Sequence, residues 1–291
     1  MNNRKKQNAF YRFARIFIDN NIFPASAEMS YYLLFAFFPL LMVVFASFSL
    51  AGDMFSDITF NLHLLPESVE ELIDVFVEHV GSTQSNLSYL LFGIFLMLYS
   101  VSRFTKSAKS KVRILYGSKT LPNPFAEWIV SLIFSLLLLV VFYVTLFVLI
   151  MGKQVLVFIS GFIPISAFVY KLIMILRYIL TGFVVFFVLF LFYYFIPNVR
   201  QKPMHIIPGT VFALLSWIIV SVGFTFYINN IANYSLVYGS IGAFIILLLW
   251  FYITSLLLLT GSIINSMVYK SYILKLQKQN AERNSGRESE L

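Results

Sequence analysis

The sequence predicts an all-α integral membrane protein, and three observations lead to that fold class. Hydrophobic residues make up 59% of the 291 residues and charged residues only 12%, and the mean hydropathy is +0.84. A soluble domain has roughly a quarter of its residues charged, so this composition cannot cover a water-exposed surface. The apolar runs are also about twice as long as outer-membrane strands and lack their alternation. A bundle of membrane-spanning helices follows.

Six segments are long and apolar enough to cross the hydrocarbon, which needs about 20 residues in a helix. They are residues 30–51, 87–104, 129–151, 168–196, 206–228 and 237–268. We therefore predict three regions: a cytoplasmic N-terminal amphipathic segment (1–28), a six-helix transmembrane domain (29–268) and a polar, disordered cytoplasmic tail (269–291).

The distribution of lysine and arginine predicts the orientation. Eighteen of the 21 basic residues lie before the first span, between the second and third, between the fourth and fifth, or after the sixth. The loops of the opposite side hold only Lys153, together with a run of acidic residues. Because cytoplasmic loops are enriched in basic residues, both termini are expected in the cytoplasm, and the first span is expected to stay uncleaved.

Two segments outside the spans have helical amphipathic patterns. Phe10, Phe13, Ala14 and Phe17 share one face beside Arg12 and Arg15 in the N-terminal segment, which predicts a basic helix on the inner leaflet. In residues 66–80, apolar side chains share one helical face and acidic side chains share the other, and Pro66 stands at the start, which predicts an external helix. This second helix suits either a cap packed on the bundle or a gate over an outward cavity.

The sequence offers little catalytic chemistry. Cysteine is absent, and the three histidines, His63, His79 and His205, have no metal-ligand spacing. The glycines form no phosphate-binding loop. We therefore predict no metal site, no cofactor and no catalytic residues.

Arg177 is the main candidate binding residue, because it lies several residues inside the fourth span, where an ionisable group is costly unless paired or hydrated. Tyr170 and Thr181 share its helical face, and Lys171 lies nearby. One interpretation is that Arg177 extends outward to the interface and the span begins near Tyr178. The other is an outward-facing pocket in which its guanidinium binds phosphate of a lipid headgroup or solute.

Two acidic residues lie near predicted helix starts, Glu28 before the first span and Glu127 at the third. Acidic side chains there complement the helix macrodipole. Glu28 follows Pro24 and precedes aromatic residues entering the bilayer, so it is also a candidate proton-coupling carboxylate. Small residues four apart, Gly209 with Ala213 and Gly239 with Ala243, predict close helix packing.

Several short motifs together resemble a known family. They are Ser30-Tyr31-Tyr32-Leu33-Leu34, Phe38-Pro39-Leu40-Leu41, Tyr194 with Pro197, Pro208-Gly209, Tyr238-Gly239-Ser240-Ile241-Gly242, Leu249-Trp250-Phe251-Tyr252, and Gly261 with Asn265. The chain resembles the YihY/virulence factor BrkB family, formerly labelled ribonuclease BN. The resemblance implies a six-span, multi-pass bacterial inner-membrane protein with both ends inside. It also implies a glutamate between the late glycine and the asparagine, and Ile263 stands there instead.

The expected function is transport. We expect a transporter or flippase-like protein for an anionic or amphiphilic substrate, a lipid being one candidate, with anionic phospholipids as partners. The alternative is a structural or interaction protein of the envelope that transports nothing. Ribonuclease activity and nucleic-acid binding are not expected, since the cytoplasmic side has few acidic or histidine side chains for hydrolysis and positive-inside bias explains its basic loops. The sequence predicts no oligomeric state.

Overall fold

A computed structural model describes residues 2–50, 87–118, 123–146, 166–199, 201–230 and 240–288. Within these residues the chain forms seven α-helices and one short 3-10 helix, and no strand. The helices are α1 (Asn2–Asp19), α2 (Ile22–Leu50), α3 (Leu87–Tyr116), α4 (Pro124–Leu146), α5 (Ala167–Phe195), α6 (Ile207–Asn230) and α7 (Ser240–Glu288), with the 3-10 helix at Pro203–His205 before α6. The all-α prediction is confirmed for the described residues.

Each of the six predicted spans coincides with a helix, but the helix ends differ from the ends of the apolar runs. The helices α5 and α6 begin within one residue of the predicted spans. By contrast, α3 continues to Tyr116, twelve residues beyond the predicted end. The predicted external helix at 66–80 lies outside the described residues.

Three of the helices are long and apolar enough to cross a membrane by themselves, at Ile22–Val43, Ile207–Tyr227 and Phe244–Glu282. Shorter apolar helical stretches run from Pro124 to Leu137 and from Ile179 to Phe195. Only the described residues enter this comparison. The chain is therefore a membrane protein with several apolar helices, and the six-span count and orientation remain predictions.

The last helix is the longest element, with 49 residues from Ser240 to Glu288. Helical structure thus continues through most of the segment for which the sequence analysis predicted a disordered tail. At the other end of the chain, α1 joins α2 through a turn in which Asn21 has a φ of 50°. Asparagine tolerates this left-handed conformation better than most residues, which allows the chain to change direction between two helices within two residues.

Neighbouring helices run antiparallel. Tyr32 contacts Arg103 near one end of the α2–α3 pair, and Val43 lies beside Gly93 nearer the other. Likewise, α6 and α7 meet at Gly209 with Asn265 and at Trp217 with Thr254. Consequently the starts of α2, α4 and α6 lie at the same end of the bundle as the ends of α3 and α5. We call this the basic end, because it carries Lys109, Arg113 and Lys202.

The main hydrophobic cluster lies towards the basic end. It draws buried side chains from α2 to α7, among them Met29, Phe104, Phe134, Tyr193 and Leu259. Many apolar side chains elsewhere are exposed, including Phe183 on α5 and Ile219 on α6. Exposed apolar residues on this scale would be unfavourable in water and are favourable against lipid tails. The packed core therefore joins the helices at one end, while their outer faces suit a lipid environment.

Candidate functional site

The residues predicted to bind substrate lie on α5, away from the basic end. The α5 backbone includes all four positions, but the side chains of Tyr170 and Arg177 lie outside the described part of the structure. Lys171 is exposed and Thr181 is half-buried. Whether these four side chains form a pocket therefore remains a prediction.

Glu28, the candidate coupling carboxylate, is exposed on α2. The helix begins at Ile22, so Glu28 falls after the first turn, which contains no acidic residue. The macrodipole interpretation of Glu28 is therefore wrong, because that effect fades beyond the first turn. Glu127, by contrast, does lie in the first turn of α4.

At the basic end, α6 and α7 are in close contact. The backbone N–H of Gly209 donates to the side-chain oxygen of Asn265 at 2.7 Å. A methyl group on Gly209 would collide with the carbonyl oxygen of Gly261 and with Asn265. Glycine is required at both positions, because a methyl group on Gly261 would in turn meet the Tyr193 hydroxyl. The predicted small-residue packing at Gly209 is therefore real, and its partner is Gly261.

Tyr193 connects α5 to this contact. Its hydroxyl donates to the carbonyl oxygen of Leu258 at 2.9 Å, and its own carbonyl accepts a 2.8 Å hydrogen bond from Gln201 Nε2. The ring is almost completely buried. The first bond joins α5 to the middle of α7, and the second joins the segment after α5 to the end of α5.

Several polar atoms around Tyr193 are buried without a hydrogen-bond partner among the described residues. They are Asn265 Nδ2, Gln201 Oε1, His205 Nδ1 and the Tyr116 hydroxyl. The side chains are continuous in space, since the rings of Tyr116 and His205 both lie against Tyr269. We call Tyr116, Tyr193, Gln201, His205 and Asn265 the polar junction.

The polar junction disfavours the ionised form of Tyr116. Burial raises the pKa of the Tyr116 hydroxyl, and proximity to Gln201 offsets only part of that effect. The two groups are close, yet no hydrogen bond of normal geometry joins them. The His205 ring lies tilted against Tyr272 with ring centroids 4.5 Å apart, and the Lys202 ammonium lies 5.4 Å from the centre of the Tyr272 ring. A cation–π contact thus lies at the edge of the junction.

A second polar group lies between α3 and α4. Arg113 Nη1 is 3.4 Å from Glu127 Oε1, and both side chains are largely buried. Lys109, one turn earlier on α3, is only 6% exposed. Burial lowers the pKa of Lys109, and the repulsion of Arg113 adds to this, while the attraction of Glu127 opposes it. Two basic residues therefore lie at an interface with one carboxylate, and only Arg113 is paired with it.

Sequence patterns identified only part of this arrangement. Gly209, Gly261 and Asn265 carried the family resemblance, whereas Tyr193, Gln201 and Lys109 were not singled out. The four-residue spacing of Lys109 and Arg113 on a predicted helix would have indicated a shared face. Among the described residues, no group of three His, Asp or Glu side chains is placed to hold a metal ion.

Comparison with known proteins identifies the family. The family model described as virulence factor BrkB matches residues 13–286, which include every residue of the polar junction. The chain belongs to the virulence factor BrkB family. The coarse identification made from the motifs is thereby confirmed.

Relatives of this BrkB-family chain carry general names. It is 27% identical over 246 residues to a Bacillus subtilis protein named as ribonuclease-like, YfkH, covering 84% of this chain and 89% of the relative. It is 26% identical over 280 residues to a UPF0761 membrane protein of Xanthomonas campestris, covering 90% of this chain and 61% of the relative. The chain thus spans about three fifths of the length of that relative. No solved structure matches the chain.

Proposed function

We propose that this BrkB-family membrane protein is a transporter or flippase-like protein for an anionic or amphiphilic substrate, with phospholipid as the first substrate to test. The observation that carries the proposal is the polar junction. Asn265 is completely buried and has an unpaired side-chain donor, and further buried polar atoms without a partner among the described residues lie on Gln201 and His205. An unpaired buried polar group costs about 1–3 kcal/mol. Several such groups in one place suit a path along which a polar headgroup forms hydrogen bonds with one side chain after another.

The exposed apolar helix faces support the amphiphilic half of the proposal. Phe183 and Phe187 on α5 and Val222 and Phe226 on α6 present apolar surface to the surroundings. A substrate with acyl chains can keep them against such faces while its headgroup passes polar side chains. A purely polar solute would gain nothing from these faces.

Arg177 is the proposed anchor for the anionic group on the opposite side of the membrane. A guanidinium at that depth costs at least about 2.5 kcal/mol on insertion scales, so it requires phosphate, water or carbonyl oxygens. Its planar fork suits two oxygens of a phosphate better than the single ammonium of lysine does. Lys171 and Thr181, on the same part of α5, would complete the contact.

The transport proposal is tested by reconstituting the purified protein into phosphatidylcholine vesicles containing fluorescent phosphatidylglycerol. We expect dithionite to bleach more than the outer-leaflet half of the fluorescence, because lipid from the inner leaflet reaches the outside. Arg177→Ala should abolish the extra bleaching and Arg177→Lys should restore part of it. Lys275→Ala removes an exposed basic residue of α7 and should change nothing. Bleaching limited to half in wild-type vesicles would contradict the proposal.

The second candidate function is a structural or interaction protein of the cell envelope. The interlocked contact of Gly209 with Gly261 favours it, because two backbones in direct contact resist relative movement. A wild-type protein that folds, binds lipid and moves none would support this alternative.

We expect no ribonuclease activity, although one relative is named as ribonuclease-like. At the basic end, Asp19 pairs with Arg15 and Glu127 with Arg113, which leaves these carboxylates occupied. Incubating purified protein with RNA and magnesium should give no cleavage above that of a mock purification. Cleavage that copurifies with the protein and disappears in a variant of one named residue would overturn this expectation.

A further inference from the structure

The α3–α4 interface carries two matching rows of polar side chains. On α3, Thr105, Lys109 and Arg113 lie four residues apart, and on α4, Glu127, Ser131 and Ser135 do the same. Residues four apart share a helix face. Thr105, Lys109, Ser131 and Ser135 are all buried. We call this set of six residues the polar seam.

The charges within the polar seam do not balance. Arg113 is paired with Glu127, and no hydrogen bond or ion pair of Lys109 is found with any residue that the structure describes. Ser131 and Ser135 donate their hydroxyl hydrogens to carbonyl oxygens of their own helix, at 2.9 Å each, and hydroxyl groups supply no negative charge. The polar seam therefore holds two basic residues and one carboxylate.

The second basic residue of the polar seam requires an explanation, because Lys109 as a whole is only 6% exposed while its ammonium is not among the fully buried atoms that lack a partner, so this group can be reached from outside the helices. Removing a charge from water without a partner is unfavourable by several kcal/mol, so buried lysines are normally paired or lose their proton. A lysine that served only to set the orientation of the protein in the membrane could lie on the exposed side of α3, as Lys106 does. The position of Lys109 next to an arginine instead resembles the arrangement of donors that binds a phosphate with two negative oxygens.

The neighbouring aromatic side chains place the polar seam at the membrane surface. Phe125 and Trp128, in the first turns of α4, are 68% and 58% exposed, and their rings stack with centroids 6.3 Å apart. Aromatic side chains of this kind are enriched at the level of lipid headgroups. Glu127 lies between them in sequence, so the outer end of the polar seam is at headgroup level and its inner end extends into the bundle.

We propose that Lys109 and Arg113 form a binding site for the phosphate group of an anionic phospholipid in the leaflet at the basic end. The phosphate would supply the negative charge that Glu127 alone does not, and Trp128 would lie beside the glycerol region. This site is distinct from the one proposed at Arg177, which lies on the other side of the membrane. It goes beyond the transport proposal, since a lipid can be bound here without being moved.

Native mass spectrometry of the full-length protein in detergent, titrated with phosphatidylglycerol or phosphatidylcholine, tests the site. We expect wild-type protein to prefer phosphatidylglycerol and Lys109→Gln to lose at least about tenfold in affinity for it, which corresponds to about 1.4 kcal/mol, because the variant lacks the charge-assisted hydrogen bond to the phosphate. The matched control is Lys106→Gln, an exposed basic residue on the same helix, which should lose less than about twofold on the same scale. Equal losses in both variants would show a general charge effect and overturn the proposal.

Thermal unfolding gives a second measurement that does not depend on the mass spectrometer. Phosphatidylglycerol should raise the Tm of wild-type protein and should have little effect on Lys109→Met, a variant that keeps the length of the side chain. If either Lys109 variant does not fold, the other provides the comparison, and Lys109→Arg should retain the response. A Lys109→Met protein stabilised by phosphatidylglycerol as strongly as wild type would exclude the site.

Inorganic phosphate distinguishes the two sources of the anion. Phosphate at millimolar concentration should affect wild-type protein and Lys106→Gln alike. If phosphate prevents the Tm increase by phosphatidylglycerol in wild type but not in Lys106→Gln, the site depends on Lys106, which would contradict a site that needs only Lys109 and Arg113. Competition in both proteins would identify a general phosphate site at the polar seam, and no competition in either would identify a site that also requires the acyl chains. Both of these last outcomes support binding at Lys109.

Discussion

Gly209 and Asn265 are joined across the α6–α7 interface by a 2.7 Å hydrogen bond from a backbone N–H to a side-chain oxygen. Thr210 next to Gly209 and Ser262 and Ser266 around Asn265 are also buried. A hydrogen bond in such surroundings is not exposed to competing water, so it is worth more than the same bond at a surface. This contact fixes where the start of α6 lies along α7.

The first prediction concerns the glycines in this contact. Gly209→Ala and Gly261→Ala should each reduce stability by about 1–3 kcal/mol, because the added methyl group overpacks a contact made of backbone atoms. The measurement is the Tm of the purified protein in detergent. Gly182→Ala and Gly223→Ala are the matched controls, since nothing lies within 4 Å of a methyl group at either position.

Alanine has the higher helix propensity, so the two control variants should be at least as stable as wild type. An unchanged Tm in Gly209→Ala would mean that α6 can move away from α7 at low cost, and the close contact would then have no structural importance.

The second prediction concerns pH. Burial lowers the pKa of Lys109 below its value of 10.5 in the unfolded chain, so the unfolded protein binds more protons than the folded one between the two values. The free energy of unfolding should therefore rise with pH in that window and fall as pH decreases through the folded pKa. Tm measured against pH should show this rise, and Lys109→Gln should flatten it. A slope that is the same in the variant would assign the effect to another group.

The third prediction concerns orientation. The chain has no cysteine, so single cysteines can be introduced directly. Cysteines at Asn61 and Asn86 should react with an impermeant thiol reagent added to intact cells, because their loops lie on the side poor in basic residues. Cysteines at Ser118 and Ser285 should react only after lysis. Labelling of the Ser118 variant in intact cells would reverse the predicted orientation, and with it the side of the membrane on which the basic end lies.

The fourth prediction concerns Glu28. Since this residue is exposed on α2 and lies past its first turn, Glu28→Gln should change the free energy of unfolding by less than about 0.5 kcal/mol, so Tm should stay close to that of wild type. Lipid movement in reconstituted vesicles should also be unchanged, both with and without a proton gradient. An effect of the proton gradient on lipid movement that wild-type protein shows and a well-folded Glu28→Gln protein lacks would identify Glu28 as a proton-coupling carboxylate.

Hydropathy predicted the apolar part of each helix and little else. The predicted span at 206–228 agrees with α6 because polar residues border it on both sides. The prediction for α3 stopped at Phe104, whereas the helix continues through a stretch rich in lysine and serine to Tyr116. That stretch is helical because its inner face, with Ala108 and Val112, packs into the core. A hydropathy average cannot detect a narrow apolar face beside several charges.

The polar junction and the polar seam depend on which helices are neighbours. Sequence spacing places Lys109 and Arg113 on one face of α3, but it does not show that Glu127 faces them from α4. In the same way, Gly209 was predicted to allow close packing without any indication that Gly261 was its partner. Contacts between helices distant in the chain depend on the packing of the complete bundle, so they are the part of the site that only the structure reveals.

The length of α7 has a consequence for the space outside the membrane. At 1.5 Å per residue its 49 residues extend about 73 Å, more than twice the roughly 30 Å thickness of the hydrocarbon. The 20 residues after position 268 can therefore carry Glu288 up to about 30 Å from the lipid surface. A fluorophore attached there would measure, by energy transfer to labelled lipid, how steeply the helix leaves the membrane.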